Sequence, residues 1–226
     1  MTLNCAFIGF GKSTTRYHLP YVLNRKDSWH VAHVYRRRAK PEEQSPQYSH
    51  IHFTSDLDEV LSDPQVNLVI VCTHADSHFE YAKRALEAGK NVLVEKPFTP
   101  TIAEAKELFA LAKSKGLSVT PYQNRRFDSC FLTAKKAIES GKLGDIVEIE
   151  SHFDYYRPVA EIQPGLPQDG SFYGLGVHTM DQIISLFGRP DHVAYDIRSL
   201  RNKANPDDTF EAQLFYGDLK AIVKTS

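Results

Sequence analysis

The sequence predicts an α/β protein in which a doubly wound parallel sheet is followed by an α+β domain with a mostly antiparallel sheet. Strand-like and helix-like segments alternate from residue 1 to about residue 122. Within that part, the segment Leu68–Cys72 is continuously apolar, as is typical of a parallel strand covered on both faces. Beyond residue 122 the strand-like segments are longer and alternate between apolar and polar residues, which indicates antiparallel strands. These observations predict two domains, residues 1–122 and 123–226.

The first domain begins with a strand, a glycine turn and a helix. Leu3–Ile8 is predicted to be a buried strand that ends at Gly9, and Thr14–Leu23 is predicted to be a helix that Pro20 interrupts or kinks. Capping residues and glycines delimit the later helices. The remaining predicted elements are strands Trp29–Tyr35, Leu68–Cys72, Asn91–Val94 and Ser118–Pro121 and helices Ser77–Ala88 and Thr101–Lys115.

The second domain is predicted to combine helices with long strands. Gly217-Asp218 is expected to join the last two strands as a tight hairpin. The chain reaches Ser226 within a strand, so we expect the second sheet to be incomplete there. The predicted helices are Ser129–Ser140 and Gly174–Phe187, and the predicted strands are Ile146–Tyr156, His192–Leu200, Thr209–Tyr216 and Leu219–Thr225.

Composition and charge argue against several classes of protein. The 226 residues are 42% hydrophobic and carry a formal net charge of -1, so no global field attracts nucleic acid or an anionic membrane. No segment approaches the ~20 consecutive apolar residues of a membrane span, and the first residues lack the features of a signal peptide. We therefore expect a cytoplasmic protein that binds a small molecule and has neither a nucleic-acid nor a membrane partner.

A glycine turn follows the first strand. Gly9 and Gly11 match the first two glycines of the dinucleotide-binding fingerprint, which form a tight turn and let backbone amides approach a pyrophosphate. Thr14 stands where the third glycine is expected. The same pattern also occurs at ordinary strand-to-helix turns, and its position directly after the N-terminal strand favours a dinucleotide. The predicted cofactor contacts in the turn are Gly9, Phe10, Gly11, Lys12, Ser13 and Thr14.

Three arginines follow the second strand, in the segment Tyr35-Arg36-Arg37-Arg38. NAD enzymes commonly carry an acidic residue at this place, where it bonds the ribose 2′-hydroxyl. Guanidinium groups instead match a 2′-phosphate. We therefore predict NADP(H) as the favoured cofactor, contacted by Arg36 and Arg37, with NAD(H) as the second choice. The alternative is a solvated run of charge in a loop.

The segment Glu95-Lys96-Pro97 follows the strand Asn91–Val94. The carboxyl end of a parallel strand places Lys96 at the sheet edge where ligands bind. A primary amine there is suited to general acid–base catalysis. We predict that Lys96 is catalytic and also contacts the substrate, and that Glu95, Lys96 and Pro97 contact the cofactor. The alternative is a lysine that forms a salt bridge in a loop.

Two histidines follow the most apolar strand. Thr73, His74 and His78 come at the same carboxyl edge and are predicted to line the cofactor pocket. His78 falls at the start of a helix and is expected to orient the backbone or the cofactor carboxamide. No third ligand is spaced to join the histidines, and Cys5 and Cys72 form no CxxC pair, so no metal site is predicted.

His178 and Asp181 lie three residues apart in the helix that ends at Phe187, and this spacing places them on one face. A histidine can exchange the proton of a substrate hydroxyl, while Asp181 fixes its tautomer or binds a neighbouring hydroxyl. We predict that His178 is catalytic and that Arg126, Tyr155, His178 and Asp181 contact the substrate. The alternatives are a structural histidine and, for Arg126 and Tyr155, packing between domains.

These segments resemble the glucose-fructose oxidoreductase/inositol dehydrogenase family, known as Gfo/Idh/MocA. The resemblance runs almost end to end, and the part specific to the family is Glu95-Lys96-Pro97 in its context. The matching segments are Gly9–Gly11, Thr73–His78, Ala85–Pro97, Arg126-Phe127, Ser140–Gly144 and Gly176–Asp181.

The resemblance implies an N-terminal Rossmann domain and a C-terminal α+β domain. It implies hydride transfer on sugars, polyols or related compounds, and a homodimer or homotetramer that forms through the C-terminal sheet. It also implies that Lys96 and His178 are catalytic or substrate-binding residues and that Asp181 lies on the substrate helix.

One position departs from the family pattern. Gly174 stands four residues before His178, where family dehydrogenases often carry an aspartate or a lysine. Tyr155, Tyr156 and Tyr173 are candidates to replace that group. Family members are also typically longer than this chain, which agrees with an incomplete second sheet. The departure at Gly174 leaves a second hypothesis, a non-catalytic dinucleotide-binding sensor or regulator of the same fold.

Overall fold

The computed structural model describes residues 2–156 and 165–226. The chain forms two compact units, Met1–Tyr122 and Gln123–Ser226. The predicted fold class is confirmed, because the first unit contains an open parallel sheet and the second an open, mostly antiparallel one. Within the two described ranges, no helix has the length and apolar character that crossing a membrane requires.

The described residues of the first unit form a six-stranded sheet with strands β1 (Leu3–Ile8), β2 (Trp29–Tyr35), β3 (His52–Thr54), β4 (Leu68–Val71), β5 (Asn91–Val94) and β6 (Val119–Pro121). The strand order is β3-β2-β1-β4-β5-β6, and the neighbouring pairs are parallel. The chain therefore winds outward from β1 in one direction and then from β4 in the other. Doubly wound proteins bind ligands at this switch point, beyond the carboxyl ends of the strands.

Helices cover both faces of this sheet. The described helices of the first unit are α1 (Leu19–Leu23), α2 (Leu57–Ser62), α3 (His78–Glu87) and α4 (Ile102–Ser114), together with the helical turns Thr14–His18, Pro41–Gln44, Pro46–Tyr48 and Ala75–Ser77. Strand β4 shows the result: Val69 and Val71 belong to the core on one face and Ile70 to the core on the other. Burial on both faces explains why this strand is continuously apolar.

Three features of the first unit differ from the prediction. The sequence pattern does not predict β3 or α2, because these elements span only three and six residues and are too short to repeat a strand or helix period several times. The predicted helix 14–23 is a π-helical turn, Thr14–His18, followed by α1. Pro20 lies in the first turn of α1, where its missing N–H leaves no hydrogen bond unmade.

The described residues of the second unit form a four-stranded sheet with strands β7 (Glu148–His152), β8 (His192–Arg198), β9 (Thr209–Tyr216) and β10 (Leu219–Thr225). The order is β7-β10-β9-β8, in which β9 pairs antiparallel with both neighbours and β10 pairs parallel with β7. The predicted hairpin between β9 and β10 is present. The described helical segments of this unit are α5 (Ser129–Glu139), α6 (Val177–Phe187) and the turns Asn124–Phe127, Pro167–Asp169 and Phe172–Gly176.

Alternation along β9 supplies the core of the second unit. Phe210, Ala212 and Leu214 are buried and pack with Ile183 of α6, while the residues between them point to the other face. Strand β7 is shorter at both ends than the predicted strand Ile146–Tyr156, although the N–H groups of Phe153 and Tyr155 still donate to the carbonyls of Lys224 and Ser226.

Candidate functional site

The glycine turn is fixed among the ends of three strands. Gly9 N–H donates to the carbonyl of Tyr35 at 2.8 Å, and Cys72 N–H donates to the carbonyl of Ile8 at 2.8 Å. Gly9 has a φ of 108°, and a Cβ there would lie 2.7 Å from the Cys72 carbonyl oxygen, so only glycine fits. At Gly11, by contrast, a Cβ would meet no heavy atom within 4 Å. The space beside Gly11 is therefore open to a ligand.

A cavity of about 740 Å³ opens beside this turn. Its described lining includes five lysine or arginine side chains and no carboxylate. The cavity has the size of a cofactor site, and its charge suits phosphate groups. It brings together most of the predicted cofactor contacts. The lining residues are Gly9, Phe10, Gly11, Lys12, Ser13, Tyr35, Arg36, Arg37, Arg38, Lys40, Cys72, Thr73, His74 and Tyr81.

Thr14 was predicted to contact the cofactor, but its geometry indicates a structural role. The side chain is fully buried, and its hydroxyl donates to the Gly9 carbonyl at 2.7 Å. Thr14 therefore supports the turn from inside the protein. At the third position of the fingerprint, a glycine usually allows close packing of the helix. Here the Thr14 hydroxyl forms a hydrogen bond instead.

Arg36 is held by an acidic partner that sequence reasoning missed. Its Nε donates to Glu43 Oε1 at 2.7 Å and its Nη2 to Oε2 at 3.0 Å. Burial disfavours the charge of Glu43, but the hydrogen bonds from Arg36 and from the Lys40 backbone keep the pKa of Glu43 below its ordinary value. The predicted phosphate ligand Arg36 is thus already paired, while Arg37 and Arg38 line the same cavity.

Lys40 is a further residue of this site that the sequence did not single out. Its Nζ donates to the carbonyl of Phe10 at 2.6 Å and lies 5.9 Å from the centre of the Phe10 ring. The contact joins residues 30 positions apart, so no local spacing predicts it. It brings a cation to the glycine turn, where a bound phosphate would gain from it.

The carboxylate of Glu95 lies under the glycine turn. Its Oε1 accepts hydrogen bonds from the Ser13 hydroxyl and from His18 Nε2, the latter at 2.8 Å. Its Oε2 accepts the backbone N–H of Lys96 at 3.0 Å. Burial disfavours its charge, yet the hydrogen bonds from His18 and Ser13 keep the pKa of Glu95 below its ordinary value. Glu95 is therefore a buried anchor that is not part of the described lining of the cavity, and its cofactor contact stays a prediction.

His18 was missed because its partner is 77 residues away. One signal was present in the sequence: Thr14 and His18 are polar residues four apart, in a segment expected to pack a helix face against the sheet. Both are buried in the structure. The ring of His18 also lies 4.4 Å from that of Tyr122, centroid to centroid.

His18, Cys72 and Glu95 bring one potential metal ligand each to within 4.8 Å of one another. Hydrogen bonds within the protein already engage the imidazole and the carboxylate. Burial, followed by the nearby charge of Glu95, raises the pKa of the Cys72 thiol to about 12, so the thiolate form that binds metals is disfavoured. Hydrogen bonding and burial therefore explain why these three side chains lie close together, and the absence of a metal site stays a prediction.

The two histidines after β4 have different positions. His74 lines the cavity, and its Nδ1 lies 3.1 Å from Asp76 Oδ1. His78 is only 1% exposed, and its two ring nitrogens lie 3.1 Å from the Thr73 carbonyl oxygen and 2.8 Å from that of Pro97. His78 therefore joins the ends of two loops and is not part of the described lining of the cavity, and its cofactor contact stays a prediction.

Lys96 is partly buried directly after β5, and the bond between Lys96 and Pro97 is a cis peptide. The N–H of Glu95 donates to the Val71 carbonyl at 2.9 Å, which ties the start of this segment to the end of β4. The segment thus lies at the same sheet edge as the glycine turn, as predicted from parallel-sheet topology. Neither Lys96 nor Pro97 is part of the lining of the basic cavity.

In the second unit, His178 is buried in the first turn of α6, with its ring 6.5 Å from that of Phe153. Asp181 forms a two-point ion pair with Arg126, whose Nε and Nη2 each donate at 2.7 Å. Asp181 was expected to orient His178 or to bind a hydroxyl, and Arg126 to bind substrate. Instead the two side chains bond each other. This pair joins the turn Asn124–Phe127 to α6.

The remaining predicted substrate residues are less constrained. Tyr155 is about half exposed, and its N–H donates to the carbonyl of Ser226 at 3.1 Å. A Cβ at Gly174 would meet no heavy atom within 4 Å, so the structure of this unit does not itself require a glycine there. Arg157, the residue after Tyr156, lies outside the described residues.

The residues around the basic cavity fit a nicotinamide dinucleotide. The open space beside Gly11 admits a pyrophosphate to the backbone amides of the turn. The cations that line the cavity suit the negative charge of the dinucleotide's phosphate groups. The Glu95-Lys96-Pro97 segment brings a primary amine to the edge of the same sheet.

The chain matches both domains of one protein family. The Gfo/Idh/MocA family model described as "Oxidoreductase family, NAD-binding Rossmann fold" matches residues 3–123. A second model of the same family, described as "Oxidoreductase family, C-terminal alpha/beta domain", matches residues 135–226.

Several similar proteins are named as oxidoreductases. The chain is 92% identical over 226 residues to the uncharacterized oxidoreductase YhhX of Escherichia coli K12, covering 100% of this chain and 66% of that protein. It is 34% identical over 227 residues to scyllo-inositol 2-dehydrogenase (NADP(+)) IolW of Bacillus subtilis, covering 98% and 62%. The crystal structure of an oxidoreductase from Bacillus cereus superposes with a TM-score of 0.93 at 50% identity, covering 99% and 64%.

The chain thus spans between 62% and 66% of the length of these relatives. The matches to both family domains extend over most of its residues. They agree with the observed parallel sheet and with the glycine turn at its switch point. The chain therefore belongs to the Gfo/Idh/MocA family of oxidoreductases.

Proposed function

We propose that the protein is an NADP(H)-preferring oxidoreductase that moves hydride between the nicotinamide ring and a carbon bearing a hydroxyl or carbonyl group on a sugar, polyol or related small molecule. The observation that carries this proposal is the cavity beside the glycine turn, whose described lining has five cationic side chains and no carboxylate. A relative that shares 34% identity is named as an NADP(+) enzyme acting on scyllo-inositol, which supports both the cofactor and the substrate class.

The preference for NADP(H) rests on the charges at the end of β2. An NAD site would place a carboxylate toward the ribose 2′-hydroxyl. Here Glu43 is the carboxylate bonded to this segment, and Arg36 occupies both of its oxygens. This pairing leaves Arg37 and Arg38, which line the cavity, as the groups that would bind a 2′-phosphate. NAD(H) remains a weaker alternative.

A bound nicotinamide dinucleotide supplies the hydride donor or acceptor. The protein aligns the reacting carbons and manages the proton. The Lys96 ammonium donates a proton to the substrate oxygen during reduction, and the neutral amine accepts it during oxidation. His178 assists by holding or exchanging the proton at that oxygen. Arg126 and Asp181, which bond each other, support the turn and the helix that carry the substrate site, and Tyr155 contributes a phenol to it.

Replacing Arg37 with Ala is expected to weaken NADPH binding by roughly 10- to 100-fold, because a hydrogen bond between charged groups contributes about 1.5–3 kcal/mol. NADH binding should change little. Isothermal titration calorimetry with both nucleotides checks this. Arg84→Ala serves as the matched control, because it removes an arginine of α3 that pairs with Asp58 and is not part of the cavity.

Two outcomes of the titration contradict the proposed cofactor preference. One is tighter binding of NADH than of NADPH by the parent protein. The other is an equal loss of affinity for both nucleotides in Arg37→Ala, which would assign Arg37 to a group that the two nucleotides share.

A second experiment distinguishes an enzyme from a non-catalytic sensor. The absorbance of NADPH is followed in the presence of aldoses, ketoses and inosones, and a decrease in absorbance indicates an enzyme. We also propose that the protein forms a homodimer or homotetramer through its second sheet.

A further inference from the structure

One carboxylate connects the wall of the cofactor cavity to the lysine of the Glu95-Lys96-Pro97 segment. Ser13, which lines the cavity, and His18, which follows it in the π-helical turn, both donate to Glu95 Oε1. The other oxygen of Glu95 accepts the N–H of Lys96 at 3.0 Å. The glycine turn and the backbone of Lys96 are thus joined through two hydrogen bonds in series.

Burial makes this connection stiff. His18 is 4% and Glu95 is 8% exposed, so water does not readily replace a lost partner. A carboxylate oxygen accepts only, and therefore His18 Nε2 carries a hydrogen in this arrangement. A buried carboxylate that loses such a donor is strongly destabilised, and it would shift toward another donor or toward water. Its bond to the Lys96 backbone would shift with it.

The surroundings of the cluster also favour one geometry. The ring of Phe7 meets His18 edge-on with centroids 6.0 Å apart, and the Tyr122 ring is also packed on the imidazole, with centroids 4.4 Å apart. The imidazole is therefore restrained by packing as well as by its hydrogen bond.

We propose that His18 and Ser13 are positioning residues that fix the catalytic Lys96 through Glu95. The inference rests on the proposed function, in which Lys96 transfers the proton. Because Ser13 is part of the cavity wall, the same connection couples the glycine turn, and hence a bound pyrophosphate, to the position of Lys96. Misplacement of a catalytic group by about 1 Å can lower a rate by about 100-fold.

The test compares His18→Ala with His18→Gln in the full-length protein. Alanine removes the donor to Glu95, whereas the glutamine side-chain amide reaches a position similar to that of Nε2 and can donate. His50→Ala is the control, because His50 is an exposed histidine of the same unit that lies outside the cofactor cavity. Three quantities are measured: kcat with NADPH, the Kd of NADPH, and the hydrogen-exchange rate of the Lys96 amide.

The amide of Lys96 is observed by selective ¹⁵N-lysine labelling, with its resonance assigned from the Lys96→Arg variant. In His18→Ala, we expect kcat to fall by about 10- to 100-fold and the Lys96 amide to exchange faster. The Kd of NADPH should change much less than kcat. His18→Gln should restore most of kcat and most of the amide protection, which a merely space-filling role of His18 would not predict.

Three results would overturn the inference. The first is an unchanged Lys96 amide and unchanged kcat in His18→Ala. The second is an equal loss in the alanine and glutamine variants. The third is a fall in NADPH affinity as large as the fall in kcat. If His18→Ala fails to fold, Ser13→Ala removes the other donor to Glu95 Oε1, and an unaltered Lys96 amide in that variant contradicts the proposal.

The amide measurement also separates this inference from the proposed function. If the parent protein binds NADPH but turns over no sugar or polyol, the proposed function fails. The effect of His18→Ala on the Lys96 amide still decides whether the Ser13–His18–Glu95 connection positions the lysine. Conversely, normal turnover with an unaffected amide rejects the connection and leaves the oxidoreductase assignment intact.

Discussion

Replacing Lys96 with Met is expected to lower kcat by about 100- to 10,000-fold, the usual contribution of a positioned general acid or base. Methionine has a similar length but no proton to donate, so the substrate oxygen loses its proton partner. NADPH binding should persist, because the basic cavity and the glycine turn do not include Lys96 in their lining. Steady-state kinetics together with nucleotide titration of the full-length protein measures both effects.

The control for this experiment is Lys106→Met, which removes an exposed lysine of α4 and should leave kcat unchanged. Turnover by Lys96→Met equal to that of the parent protein would exclude Lys96 as the acid or base. A loss of NADPH affinity in proportion to kcat would instead assign Lys96 to cofactor binding alone.

Substitutions at the two glycines of the turn should separate folding from nucleotide binding. Gly11→Val is expected to raise the Kd of NADPH on the order of 100-fold, because the side chain occupies the approach of the pyrophosphate and removes hydrogen bonds to charged groups worth about 1.5–3 kcal/mol each. The melting temperature should stay close to that of the parent, since a Cβ at Gly11 meets no heavy atom within 4 Å.

Gly9→Ala should have the complementary effect on stability. A positive φ costs about 1–2 kcal/mol for a residue with a Cβ, and this Cβ would lie 2.7 Å from the Cys72 carbonyl oxygen, which adds overpacking of about 1–3 kcal/mol. We expect the melting temperature to fall by roughly 5 to 15 °C. Differential scanning calorimetry measures this, with Gly174→Ala as the control because its Cβ is accommodated. A Gly9→Ala protein as stable as the parent would contradict the geometry of the turn.

The regular parts of the fold follow from local sequence. Strands β1 and β2 have the predicted bounds, and β1 ends directly before the turn residue Gly9. Helix α4 is correctly delimited by its capping box, in which Thr101 and Glu104 bond each other's backbone. The short elements β3 and α2 were not predicted, because three and six residues give too little repeating pattern for their type to be recognised.

The location of the site could be predicted, but its internal partners could not. Parallel topology places the carboxyl ends of β1, β4 and β5 along one edge of the sheet, so the glycine turn after β1 and Lys96 after β5 were assigned to that edge. The hydrogen bond between His18 and Glu95 joins residues 77 positions apart, and the hydrogen bonds between Arg36 and Glu43 depend on the path of a loop. Such pairs leave no periodic pattern in the sequence from which they could be predicted.

The type of a residue did not predict its hydrogen-bond partner. Arg126 and Asp181 were singled out as polar groups for a substrate, and the structure pairs them with each other at 2.7 Å. His78 was assigned to the cofactor because it follows β4, but a helix that starts there turns the ring toward the carbonyls of Thr73 and Pro97.

The most direct test is a crystal structure of the full-length protein with NADP+ and an unreactive polyol or sugar analogue. We expect the pyrophosphate at Gly11 and the 2′-phosphate within hydrogen-bond distance of Arg37 or Arg38. We expect Lys96 Nζ about 2.6–3.2 Å from the analogue oxygen on the reacting carbon, the reach of a general acid or base. A dinucleotide bound away from the glycine turn, or a Lys96 side chain directed away from the analogue, would contradict the assignment.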